Sequence, residues 1–104
     1  MNLTHFYTRE RSEEGRFFVT LCDESHPIFQ AHFPSHPIVP GFVLMQISAE
    51  LLGVTISHVK KAKFIHSVAP QSHLCFEVTP KEKTYKIIIV NNTQKVAELI
   101  YEAD

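Results

Sequence analysis

In "GRFFVTLCD", Phe17, Val19 and Leu21 alternate with Arg16, Phe18 and Thr20, the two-residue period of a strand with one well-buried face. "LTHFYTRE" ahead of it is a weaker strand candidate. The pattern then breaks: Pro27, Pro34, Pro37 and Pro40 fall within fourteen residues. That spacing predicts a stiff, irregular loop without helix. After Gly41, Phe42, Met45, Ala49 and Leu52, with Val43, Leu44 and Leu51 nearby, recur at helical spacing, and Gly53 supplies a C-terminal stop. A helix so largely apolar belongs inside the molecule.

The second half is strand-like. "VTISHV" and "KFIHSV" form one long or two short strands, and Leu74, Phe76 and Val78 alternate in "SHLCFEVTP". "TYKIIIV" is rich in β-branched residues, and "QKVAELIYEA" sets Val96, Leu99 and Tyr101 among polar neighbours. "NNT" at 91–93 marks the last turn. The order β-β-loop-α-β-β-β-β predicts an α+β fold, one antiparallel sheet wrapped around a central helix over about residues 41–53.

A chain of 104 residues suits one domain, 1–104, small enough to gain from burying more surface in an oligomer. Ten basic and eleven acidic residues give a net charge of −1, which argues against a nucleic-acid binder. No segment approaches the roughly 20 apolar residues of a transmembrane helix. The start, "MNLTHFYTRERSEEG", has no apolar run after a basic head, so a cytoplasmic protein is expected. Cys22 and Cys75 lack metal-type spacing and are expected as half-buried free thiols, a disulfide between them being the alternative.

The proline loop carries the candidate chemistry. An imidazole titrates near neutral pH, so a histidine with fixed geometry can remove a proton from carbon or oxygen. His32 lies in the proline-locked stretch, and Pro40-Gly41 then opens the helix, whose N-terminal amides favour developing negative charge. A base and an oxyanion donor nine residues apart suit a carbonyl compound with an acidic α-hydrogen. Taken alone, a histidine in such a loop is more often a hydrogen-bonded structural residue.

The order of these features gives them their weight. "HFPSHPIVPG" resembles the H-F-P-x-x-P-[VI]-x-P-G signature of the 3-hydroxyacyl-acyl-carrier-protein dehydratases, which have the hot-dog fold. "HPIFQA" resembles that family's "NPFFxG" lead-in. "KAKFIHSVAPQSHLCFEVT" is similar to its "KFRRPVxPGDxLxxEV" strand pair, and "QKVAELIYEA" to its closing strand. The resemblance extends from about Arg16 over most of the chain.

The resemblance implies His32 as the base removing the C2 proton of a 3-hydroxyacyl thioester, and the Gly41 N–H as the group polarising its carbonyl. It implies that the Ile38 carbonyl orients the imidazole. The acyl chain would run along a dimer interface past Phe33, Phe42, Val43 and Leu44. It also implies an acid fourteen residues after the histidine, contributed by the other subunit, and no cofactor.

That acid position holds Gln46. A neutral amide donates a hydrogen bond but cannot hand over a proton at accessible cost. Glu50 stands one turn on, where many members carry Gln, so the two side chains look exchanged; i and i+4 share a helix face. Glu50 is either a replacement acid or a carboxylate with another hydrogen-bonding role. Ala31 and Ser35 replace glycines of the pattern, and His36 stands where Asp is common.

Seven histidines are scattered without metal-protease spacing, so no metal site is expected. Lys60, Lys61 and Lys63 in "KKAKF" read as a solvated strand edge that discourages aggregation, or as docking groups for an acidic acyl carrier protein or the phosphates of coenzyme A. "RERSEEG" reads as a solvated turn. The expectation is a homodimeric or larger dehydratase of carrier-bound acyl thioesters. Its rivals are an acyl-binding or heterodimer-partner protein that lost the acid, and a thioesterase on the same fold.

Overall fold

In the computed structural model, which describes residues 2–32 and 34–104, six strands and two helices follow the chain. Strands β1 (Tyr7–Glu13) and β2 (Arg16–Leu21) precede helices α1 (Pro27–Ala31) and α2 (Gly41–Leu52). Strands β3 (Ile56–Phe64), β4 (His73–Lys81), β5 (Thr84–Asn91) and β6 (Gln94–Ala103) follow. All six strands make one antiparallel sheet in the order β1-β2-β4-β5-β6-β3. This is the α+β hot-dog arrangement, with β1 and β3 as edges.

The apolar alternation places one side of each inner strand under α2. Val43, Leu44, Ile47, Ser48 and Leu51 form the buried face of the helix. Its four apolar members join Val19, Leu21, Leu74, Phe76, Ile87, Ile89, Leu99 and Tyr101 in one core cluster. Each large apolar side chain so buried contributes about 1.5–3 kcal/mol. Gly53 ends α2 at φ 67°, a left-handed conformation that glycine adopts without the Cβ clash of other residues.

Ser48 is the buried polar member of this face. Its hydroxyl donates to Met45 O at 2.6 Å, so its oxygen accepts from the Tyr101 hydroxyl at 2.8 Å. Burial pushes the Tyr101 phenol up. Among the described residues no buried side-chain polar atom lacks a partner.

Three expectations need correction. The proline-rich stretch contains a helix, because Pro27 occupies the first helical positions, where proline's missing N–H costs nothing, and no proline follows until Pro34. "RERSEEG" is mostly strand, the turn being confined to Glu14-Gly15. Leu3–Phe6 is a turn segment, with Leu3 and Phe6 buried, rather than the start of β1. "VTISHV" and "KFIHSV" contribute to a single strand.

Strand β3 is exposed almost throughout. Val59, Phe64 and the adjoining Ile65 leave 42%, 45% and 38% of their surface open, and Phe42 on α2 leaves 52%. Among the described residues no helix is long and apolar enough to cross a membrane.

Candidate active site

His32 follows directly on α1. Its backbone N–H donates to Ile28 O at 3.2 Å, and its Nδ1 lies 2.9 Å from the same oxygen. A carbonyl only accepts, so Nδ1 carries the proton and the lone pair of the neutral ring lies on Nε2. The half-buried ring meets Phe42 edge-on, with centroids 6.1 Å apart and planes at 72°. The expected orienting carbonyl, Ile38 O, is thus corrected to Ile28 O. The reason is local: α1 ends at His32 and leaves the Ile28 carbonyl one turn back to receive both donors.

Gly41 opens α2 behind Pro40, which provides no side-chain cap. A Cβ at Gly41 would lie 2.8 Å from the Phe64 ring, so the absence of a side chain admits that ring against the helix end. Ile38, Gly41, Leu44, Phe64 and His66 wall a cavity of about 340 Å³. His32 faces a different groove, of about 630 Å³, between Pro27, Ile28 and Ala31 of α1 and Thr4-His5 of the N-terminal segment. In the single chain, the expected base and oxyanion donor therefore border separate spaces.

Of the expected acyl-chain lining, Phe42 faces outward beside His32, but Val43 is fully buried in the core. It sits on the sheet-facing side of α2, packed in the core cluster. Leu44 is also buried, at the edge of the Gly41 cavity. Phe33 lies outside the described residues.

Gln46 is half-buried, one turn before Glu50. Glu50 Oε1 accepts from the Tyr7 hydroxyl at 2.8 Å, and Glu50 O accepts from Arg9 Nη2 at 3.1 Å. Burial, then the Glu50 carboxylate, pushes the Tyr7 phenol up to about 12. Asn2, Thr4, Tyr7, Arg9 and Glu50 line a cavity of about 380 Å³ that shares Asn2 and Thr4 with the His32 groove. Tyr7 and Arg9 were not legible as site residues, since each meets Glu50 across more than forty positions of sequence. The weak alternation of "LTHFYTRE" gave no sign of that meeting.

The lysines of β3 differ among themselves. Lys60 pairs with Glu102 at 3.2 Å, and Lys61 with Glu98 at 2.9 Å. Lys95 also reaches Glu98, at 2.6 Å. Lys63 forms no ion pair among the described residues. Cys22 and Cys75 are free thiols, both pushed up by burial. Among the described residues, no three His, Cys, Asp or Glu side chains gather as a metal ion would require.

A family model described as ApeI-like, ApeI dehydratase, matches residues 8–99. The chain belongs to the ApeI-like dehydratase family. This ApeI-like chain is 27% identical over 103 residues to the 3-hydroxyacyl-acyl-carrier-protein dehydratase FabZ of Caldanaerobacter subterraneus subsp. tengcongensis. That match covers 85% of the chain and 73% of the relative. It is 30% identical over 84 residues to FabZ of Klebsiella pneumoniae, covering 64% of the chain and just 56% of the relative. The fold of the ApeI-like chain is that of the dehydratase heterocomplex ApeI:P from Xenorhabdus doucetiae, with a TM-score of 0.68 at 20% identity. There 92% of the chain and 93% of the neighbour superpose.

Proposed function

We propose that this ApeI-like dehydratase reversibly removes water from 3-hydroxyacyl thioesters presented on acyl carrier protein, with His32 as base. The observation that carries this reading is the Nδ1–H bond to Ile28 O, which leaves His32 Nε2 as a proton acceptor on a residue whose backbone N–H is tied to the same oxygen. Nε2 takes the C2 proton, the electron pair forms the C2–C3 double bond, and the C3–O bond breaks. The hydroxyl departs as water once it receives a proton. The relatives named as 3-hydroxyacyl-acyl-carrier-protein dehydratases support the substrate class.

Gln46 cannot supply that proton; the donor in this reading is Glu50. Its carboxyl group is exposed on α2 and oriented by Tyr7. Glu50 and His32 of one chain border neighbouring cavities rather than one; the donor in this reading comes from a second copy. The exposed apolar strip of Phe42, Val59, Phe64 and Ile65, along the open edge of β3, supports pairing of two copies. Lys63, outside the ion-pair ladder, is the lysine of the three best suited to meet an acidic carrier.

A second reading is a heterodimer in which another dehydratase subunit brings the acid. It is favoured by Gln46 and by the heteromeric assembly of the Xenorhabdus neighbour.

Hydration of a short enoyl thioester by the purified chain separates the two readings. The first predicts activity from the chain alone that falls about 10²–10⁴-fold in Glu50→Gln. Inactivity of the chain alone, with a large gain in Gln46→Glu, would replace it with the second.

A further inference from the structure

We infer that His26 is a positioning residue for His32, acting through the peptide groups of Ile28. This rests on the reading of His32 as the base. His26 is the N-cap of α1, and its Nδ1 accepts the Ile28 N–H at 3.1 Å. Its Nε2 lies 2.8 Å from Thr4 O. Because an N–H only donates and a carbonyl only accepts, these two contacts fix one neutral tautomer, with the proton on Nε2 and the lone pair on Nδ1. His32 holds the opposite one, with its proton on Nδ1.

The two rings are joined by one residue. Ile28 gives its N–H to His26 and receives both donors of His32 on its carbonyl. Its side chain is 4% exposed and sits in the core. Helix α1 has only five residues, too few to be stable without its ends being tied. At the cap, the His26 carbonyl also receives the N–H groups of Phe29 and Gln30, at 3.0 and 3.1 Å. Beneath it, the His26 ring rests edge-on against buried Phe6, with centroids 5.1 Å apart. The same imidazole therefore starts the turn that ends in His32 and fastens it to the N-terminal segment. Loss of the side-chain cap frees the Ile28 N–H and breaks the tie to Thr4 O, which loosens the first turn of α1, and the Ile28 carbonyl at its far end no longer holds His32 in a single tautomer.

"HPIFQA" resembles a lead-in that begins with Asn, a residue whose side-chain oxygen caps equally well. His26→Asn should therefore preserve the function, while His26→Ala removes the acceptor.

The test combines imidazole nitrogen NMR with enoyl thioester hydration, in wild type, His26→Asn and His26→Ala. In wild type at neutral to mildly alkaline pH, His26 is expected as the Nε2–H tautomer and His32 as the Nδ1–H tautomer. His26→Ala is expected to turn the His32 signals into a tautomer mixture and to lower kcat about 10–100-fold, in line with misplacement of a reacting group by an ångström or less. KM should stay within about twofold, and His26→Asn should restore both readouts. If His26→Ala does not fold, His26→Gln, whose longer side chain is no N-cap, takes its place. A proton on Nδ1 of His26 in wild type overturns the inference, as does an unchanged His32 tautomer in the uncapped variant. If wild type hydrates nothing but the tautomers follow the cap, the dehydratase reading fails and the positioning role stands.

Discussion

Because Ile28 O accepts from both the backbone and the ring of His32, one atom anchors the residue's main chain and its imidazole. That geometry assigns its tautomer without any reference to substrate. At the same scale, Gly41 is defined by what touches it. An added Cβ would press on the Phe64 ring at 2.8 Å, yet that ring is 45% exposed and can swing away. Gly41→Ala is expected to cost no more than about 1 kcal/mol, the low end for overpacking, because the obstructing ring is exposed. Most of that loss should disappear in a Phe64→Ala background, which a four-member cycle of urea denaturation measures. Equal losses in both backgrounds would mean that Phe64 is not the obstacle.

At the scale of elements, the join between α2 and the sheet depends on a polar pair as well as on apolar packing. Ser48 supplies the acceptor for the Tyr101 hydroxyl inside the core. Ser48→Ala leaves that hydroxyl unpaired and should cost about 1–3 kcal/mol in chemical denaturation. Tyr101→Phe should cost less, since Ser48 keeps its bond to Met45 O; the reverse order would contradict this assignment.

The strands and α2 were legible in the sequence because their inner faces repeat with periods of 2 and 3.6 residues, from Phe17-Val19-Leu21 to Leu99-Tyr101. Helix α1 was not, because five residues hold little more than one turn, too short for a repeat, and its cap is a histidine rather than Ser, Asp or Asn. The candidate base and the helix-opening glycine were legible as motif residues. Their surroundings were not: Ile28 O in place of Ile38 O follows from the unforeseen helix α1, while Tyr7 beside Glu50 and Phe64 over Gly41 come from tertiary packing. The apolar character of Val43 suits a tunnel and a core equally well, so its burial in the core was not legible.

Over the whole molecule, charge is organised along the β3–β6 margin. Lys95 and Lys61 bond the Glu98 carboxylate and lower it to about 2. Between the ordinary carboxylate range and that value, the unfolded chain binds a proton that the native one does not. The stabilising contribution is therefore complete above about pH 4.5 and disappears as the pH falls toward 2. The urea midpoint should drop across this interval, by a smaller amount in Glu98→Gln; an equal drop in both proteins would remove Glu98 from the account. The same margin exposes an apolar strip beside the site. Light scattering should accordingly find a dimer or larger assembly, weakened by Val59→Lys at the exposed edge.

His32, its proton fixed on Nδ1 by Ile28 O, is the proposed base of a dehydratase-family enzyme. Hydration of a short enoyl thioester by wild type and His32→Ala, followed through loss of the conjugated absorbance, tests it most directly. Turnover is expected in wild type, with a loss of about 10²–10⁴-fold in the variant, the range for a general base. Turnover that survives His32→Ala would contradict it.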